Sequence, residues 1–252
     1  RHCIGSETCP NLDTSHDDYL KLLREIRAVK GVKKVFVRSG LRYDYVLADH
    51  NKAFVKELCQ YHVSGQLKVA PEHVVKHVTD MMGKADVHAF LKFKDWFDEA
   101  NRELGKKQYL VPYFMSSHPG CTLKDAVALA EFLRDMHMQP EQVQDFIPTP
   151  GSLSTAIYYT GVNPLTGEKV YVARRPEEKQ MQRALMQYKN PANYDIVYKA
   201  LCLAGRRDLI GYGPKCLIAP RRRQEGGRTA KGGRMTRSRS GRADRHKTRR
   251  FR

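Results

Sequence analysis

The stretch KKQYLVPYFMSSHPGCTLKDAVALAEFLRDMH, residues 106–137, decides the fold. Residues from about 108 to 115 are aromatic, β-branched and apolar over the length of a strand, and they predict a buried one. Pro119-Gly120 breaks the run. Thr122 then stands three residues before Asp125, the pattern of an N-cap facing an acidic third helical position, and it opens a helix predicted over 123–137.

The same strand–turn–helix unit recurs on both sides. KKVFVRSG predicts a short buried strand at 33–38, and NKAFVKELCQYH a helix at 51–62. GQLKVAPEH predicts a second strand at 65–70, stopped by Pro71, with helices at about 73–82 and 87–104. EQVQDFIPTPG predicts a fourth strand at about 142–147, broken by Pro148 and Pro150. DDYLKLLREIRAV, at 17–29, reads as an amphipathic helix with Tyr19, Leu23 and Ile26 on one face. Residues 162–178 read as a loop or small hairpin, and 176–188 with 193–204 as a helical pair. Alternation of this kind argues for a parallel sheet with crossover helices. An open doubly wound sheet and a (β/α) barrel both satisfy it. Neither closes comfortably with four strands, so the first strands are expected upstream of Arg1.

Of the 252 residues, 41% are hydrophobic, enough to bury a core. No run approaches the roughly 18 apolar residues of a membrane helix, and the polar start RHCIGSETCPNLDTSHDDY lacks the apolar centre of a signal peptide. The cysteines, Cys3, Cys9, Cys59, Cys121, Cys202 and Cys216, show no disulfide framework, which favours a reducing cytoplasm. Cys3 and Cys9 are separated by five residues, wider than the usual zinc knuckle, and no second close pair exists. The net charge of +18 is uneven: residues 221–252 carry fourteen Lys/Arg against Glu225 and Asp244, a net of +12, which leaves +6 for the first 220 residues. From Pro220 the chain is Arg/Gly/Ser-rich with almost no large apolar residue, and it is expected to be disordered.

In parallel α/β architectures the site lies at the carboxyl ends of the strands. Each such junction here is polar: Arg38-Ser39-Gly40, then Glu72-His73, then Ser116-Ser117-His118-Pro119-Gly120, then Pro148-Thr149-Pro150-Gly151. Simple capping roles for Glu72, His73 and the Ser116–Gly120 turn remain open. Lys68, inside an otherwise apolar strand, faces either solvent or the interior of the mouth. Cys121, at a helix start, is expected to be structural. Dinucleotide, Walker, zincin and nucleophile-elbow motifs are missing, so chemistry at this edge would need a cofactor.

Five strings, RSGLRYD (38–44), GQLKVAPEHV (65–74), MMGK (81–84), KKQYLVPYFMSSHPGCTLKDA (106–126) and EQVQDFIPTPGSLSTAIYYTGVNP (141–164), together resemble the YgiQ family of radical-SAM proteins. The resemblance runs to about Ile218-Ala219-Pro220. It implies a partial parallel (β/α) barrel truncated at its amino end, occupying 17–161. An irregular cysteine-containing segment (1–16) would precede it, a small mostly helical region (162–219) would follow, and a disordered tail (220–252) would end the chain. It also implies a [4Fe–4S] cluster on a CxxxCxxC loop, with S-adenosylmethionine cleaved to a 5′-deoxyadenosyl radical. No CxxxCxxC occurs in this sequence, so no metal ligand is assigned here. The chain alone is expected to hold no cluster and make no radical, its partner being the missing amino-terminal half of the barrel. The resemblance places Arg38, Ser39, Lys68, Glu72 and His73 on the S-adenosylmethionine side, and Ser116, Ser117, His118 and Thr149 on the substrate side. Nucleic-acid binding through residues 221–252, and an inactive fragment, are the competing readings.

Overall fold

The structure, a computed structural model, describes residues 9–49 and 51–221. Cys3 lies outside them, as does the expected disordered tail beyond Arg221. The chain divides at Pro220, into residues 1–220 and 221–252. Among the described residues, every strand and helix lies in the first.

Three parallel strands, β1 (Gln66–Glu72), β2 (Tyr109–Ser116) and β3 (Gln144–Asp145), form a sheet in the order β1-β2-β3. The helices are α1 (Asp17–Ala28), α2 (Tyr43–Ala48), α3 (Ala53–Glu57), α4 (Lys76–Met82), α5 (Val87–Glu103), α6 (Leu123–Asp135), α7 (Leu153–Thr160), α8 (Pro176–Met186) and α9 (Tyr194–Leu203). β1 crosses to β2 through α4 and α5, and β2 to β3 through α6, so the parallel α/β reading holds for this part of the chain. The barrel itself is not closed among the described residues.

The two faces of the sheet differ. Leu67 and Val69 of β1 are buried against Phe90, Phe93 and Phe97, a stripe along α5 at helical spacing. Phe114 of β2 packs on Leu129 and Leu133 of α6 and Met186 of α8. Residues of alternate parity, Gln66 and Lys68, are exposed, and Val111 and Tyr113 are half-buried. This face opens a cavity of about 530 Å³ bounded by Lys68, Val111, Tyr113 and the segment Met138–Gln142.

The helical region after residue 162 packs into the same unit. Met181, Ala184 and Leu185 of α8, Val197 and Leu201 of α9, and Leu217 share one core with Cys121, Ala126, Val127 and Ala130. An antiparallel bridge between Val162 and Lys169 makes residues 162–170 a short hairpin.

Several elements differ from their sequence expectations. Residues 33–38 form no strand: the segment runs beside β1 but meets it by a single bond, Lys68 N to Arg38 O at 3.0 Å. A ladder needs repeated pairing, and here the other bonds go to His62, whose backbone oxygen accepts from Val37 N and whose Nδ1 meets Val35 O. The fourth expected strand shrinks to Gln144–Asp145, paired with Met115 and Ser116 of β2, and beyond it Phe146 N still donates to Ser116 O at 2.8 Å. The helix at 51–62 continues α3 as a π-helical turn over Leu58–His62. In α1 the buried residues are Leu20 and Leu23, while Ile26 is exposed, so its inner face is rotated from the expected one. The short helices α2 and α7 have no counterpart in the sequence reading.

Candidate site at the carboxyl edge of the sheet

The turn after β2 is built as its sequence indicates. Thr122 caps α6 reciprocally with Asp125, its hydroxyl accepting from Asp125 N while the Asp125 carboxylate accepts from Thr122 N at 2.8 Å. Gly120 takes φ +89°, a left-handed value that glycine adopts without a Cβ penalty, and its N–H donates to Tyr171 O at 2.8 Å. Two non-glycine residues share that unusual backbone region at the same edge: Glu72 (φ 63°) ends β1 and Ser117 (φ 60°) follows β2. Such residues concentrate where a site imposes its own geometry.

Around these turns the polar groups split into a dry set and a wetter set. In the dry set, Gln182 of α8 is fully buried and reaches the turn with both ends of its amide. Its Oε1 accepts from Ser117 N at 3.0 Å and its Nε2 donates to Cys121 O at 3.0 Å. His73 is buried, with Nδ1 accepting from Val75 N at 3.1 Å and Nε2 3.5 Å from Cys121 Sγ. His118 is buried too. Its Nδ1 lies 2.7 Å from Pro119 O, which can only accept, so Nε2 takes the hydrogen bond from Ser154 Oγ at 2.9 Å. Burial lowers the pKa of both imidazoles to about 4, and burial pushes the Cys121 thiol up. These three groups are therefore neutral at pH 7. The Ser117 hydroxyl is buried with no hydrogen-bond partner.

The wetter set lies at the strand tips. Ser116, itself buried, donates from Oγ to Asp145 Oδ1 at 2.5 Å, and the exposed Arg183 reaches Asp145 Oδ2 with Nη1 at 3.2 Å. Lys84 Nζ stands 3.3 Å from Glu72. Tyr113 donates its hydroxyl to Gln144 Oε1 at 2.7 Å. Phe146 seats its ring edge-on to His118 at 5.0 Å and against Tyr158 at 5.7 Å.

The sequence-predicted residues are thus only partly brought together. Ser116, Ser117 and His118 share one turn, with Glu72 and His73 at the neighbouring strand end. His73 points into the interior towards Cys121, away from the open face. Arg38 and Ser39 are exposed on the segment flanking β1, and Thr149 is exposed, its carbonyl accepting from Ser152 and Thr155 hydroxyls ahead of α7. Lys68 lies on the open face. The carboxylate of Glu72 pairs with Lys84. Sequence reasoning missed Asp145, Arg183, Ser154 and Gln182. Asp145 could have been found by the strand-end rule itself, and Gln182 as a polar residue inside the apolar stripe Met181-Ala184-Leu185.

A fit to an iron–sulfur cluster can be tested on the donors themselves. Among the described residues no three His, Cys, Asp or Glu side chains converge on one point. Cys59 and Cys121 are buried in separate cores, and burial raises the Cys59 pKa to about 12, which opposes the thiolate that iron needs. The described residues do not fit the cluster.

Residues 141–251 match a family model described as "Domain of unknown function (DUF3362)". A UPF0313 protein of Clostridium perfringens is 59% identical over 218 residues, which cover 86% of this chain and 33% of that protein. A UPF0313 protein of Methanocella arvoryzae is 57% identical over 218 residues, 86% of this chain and 36% of the relative, and one of Clostridium botulinum is 54% identical over the same length, 86% and 34%. UPF0313 is the YgiQ family. The chain spans about a third of the length of these curated relatives. The resemblance read from the sequence stops near Pro220, whereas the family model runs on to residue 251 and takes in the basic tail. Among the described residues no helix is long and apolar enough to cross a membrane.

Proposed function

We propose that this chain is the carboxy-terminal portion of a YgiQ-like radical-SAM enzyme of the cytoplasm and supplies half of its barrel. The observation that carries the reading is the two-faced parallel sheet: one face is packed by α5, α6 and α8, while the other stays open with Lys68, Val111 and Tyr113. A barrel interior has that character before its remaining strands are added. The cluster would be held by residues of the longer protein, and no radical-forming step is assigned to any residue described here. In that protein Arg38, Ser39, Lys68 and Glu72 would meet S-adenosylmethionine, the cations taking its carboxylate and Glu72 its ribose hydroxyls. His73 and Gln182 would hold the two edge turns in register. Ser116, Ser117 and His118 would shape the substrate side, with Thr149 on the rim. The substrate is left unassigned, since one scaffold of this kind supports many reactions.

Anaerobic treatment with iron and sulfide tests the reading. This chain is expected to give no iron–sulfur absorption or paramagnetic signal. A full-length UPF0313 protein is expected to give both, and to release 5′-deoxyadenosine from S-adenosylmethionine when reduced. A cluster on this chain, or no 5′-deoxyadenosine from the longer protein, overturns it.

A second reading rests on the charge of residues 221–252, net +12. Such a tail binds nucleic-acid phosphates without sequence preference. Affinity for RNA measured against salt, with and without those residues, tests it: loss of the steep salt slope on deletion supports the tail, and an unchanged slope excludes it.

A further inference from the structure

The opposite, amino edge of the sheet carries a second concavity that neither reading uses. Ser64 and Gly65, just before β1, and Lys106 to Gln108, just before β2, line a cavity of about 470 Å³. It is cationic: Arg27, Lys33, Lys34, Lys106 and Lys107 line it, and no Asp or Glu does. Glu57, whose carboxylate feels the charge of Arg27, is already engaged by Arg24 at 2.8 Å. Lys106 is spent on structure, its ammonium donating to Cys59 O at 3.0 Å and to Gln60 O. Lys33, Lys34 and Lys107 are exposed.

Two exposed aromatic rings stand among these charges. Tyr61 is 44% and Phe36 42% exposed, and both line the same cavity. The Arg27 guanidinium sits 3.9 Å over the Tyr61 ring, and one of its nitrogens, Nη1, is buried without a hydrogen-bond partner. Lys34 lies 5.9 Å from the Phe36 ring centre. Large rings left in solvent beside cations, in a basin with no anionic wall, suit a ligand that is polyanionic along its backbone and flat in its side groups.

We propose that this amino-edge cavity binds single-stranded nucleic acid, Lys33, Lys34 and Lys107 meeting its phosphates and Tyr61 and Phe36 stacking its bases. The site stands apart from the carboxyl edge, so its failure leaves the radical-SAM reading untouched. It is also separate from any binding by residues 221–252, and the test must locate it.

Photo-crosslinking of the full chain to a short 4-thiouridine oligonucleotide, followed by peptide mapping, gives that location. Crosslinks are expected on peptides containing Tyr61 and Phe36. Crosslinks confined to residues 221–252, or to the carboxyl edge, overturn the proposal. In fluorescence anisotropy with the same oligonucleotide, Lys33→Ala/Lys34→Ala/Lys107→Ala should lower the slope of log affinity against log salt by about 2. Tyr61→Ala should weaken binding about tenfold with the slope retained. Circular dichroism of each variant guards against loss of fold. An unchanged affinity in both, or equal crosslinking by the duplex form, also overturns it.

Discussion

The two edges of the one sheet are both polar in sequence and opposite in physics. At the carboxyl edge, His73, Ser117, His118 and Gln182 are buried and bonded to neighbouring turn and helix groups, and the imidazoles are held neutral. At the amino edge, Lys33, Lys34, Lys107, Tyr61 and Phe36 stay in water. The difference teaches that a polar strand junction does not by itself mark a reactive mouth. Desolvation converts some of its groups into a scaffold, and only those left at the tips or on the open face can meet a ligand.

The contrast can be broken most severely by acid. Both buried imidazoles have pKa values lowered from 6.5 to about 4, so the folded state favours the neutral ring. Their contribution is complete above pH 6.5 and is lost as pH falls towards 4, at about 1.4 kcal/mol per pH unit for each ring. Urea unfolding followed from pH 7 to pH 4 should show several kcal/mol of loss, and a flat profile would contradict the dry carboxyl edge. Next in size is Gln182→Ala, which strips partners from Ser117 N and Cys121 O in a buried site. A loss of about 3 kcal/mol is expected in the same measurement, and a loss under about 1 kcal/mol would mean that water reaches the turn.

Smaller effects sharpen the comparison. Asp145→Ala removes the acceptor of Ser116 and of Arg183 at the half-exposed tip, and about 1 kcal/mol is expected from chemical denaturation. Lys33→Ala/Lys34→Ala should leave stability within about 0.5 kcal/mol, as befits exposed residues outside the packed core. A larger change would show that the amino edge is structural after all.

Much of the carboxyl edge is legible from local signals. The Thr122/Asp125 capping box and the Pro119-Gly120 break place the turn after β2 within a residue, because capping chemistry is local. The end of β2 at Ser116 lies close to the expected one, whereas β1 runs through Pro71, the expected stop, to Glu72. Asp145 sits at the third strand end and obeys the rule, but the strand there is two residues long and gives little pattern to read. Gln182 and Ser154 reach the turn from α8 and α7, 65 and 36 residues away from their partners, and no local pattern announces such contacts.

By itself the sequence determined the parallel strand–helix alternation, the caps and breaks at each junction, the basic tail, and the absence of a CxxxCxxC motif in this chain. These follow from periodicity, turn chemistry and composition, which act over a few residues. Only the tertiary structure decided that residues 33–38 lack a ladder, that His73 faces Cys121 inside the fold, that Glu72 pairs with Lys84, and that five cations from three segments surround one cavity at the amino edge. Burial and charge pairing are properties of neighbours distant in sequence, and only the folded chain brings those neighbours together.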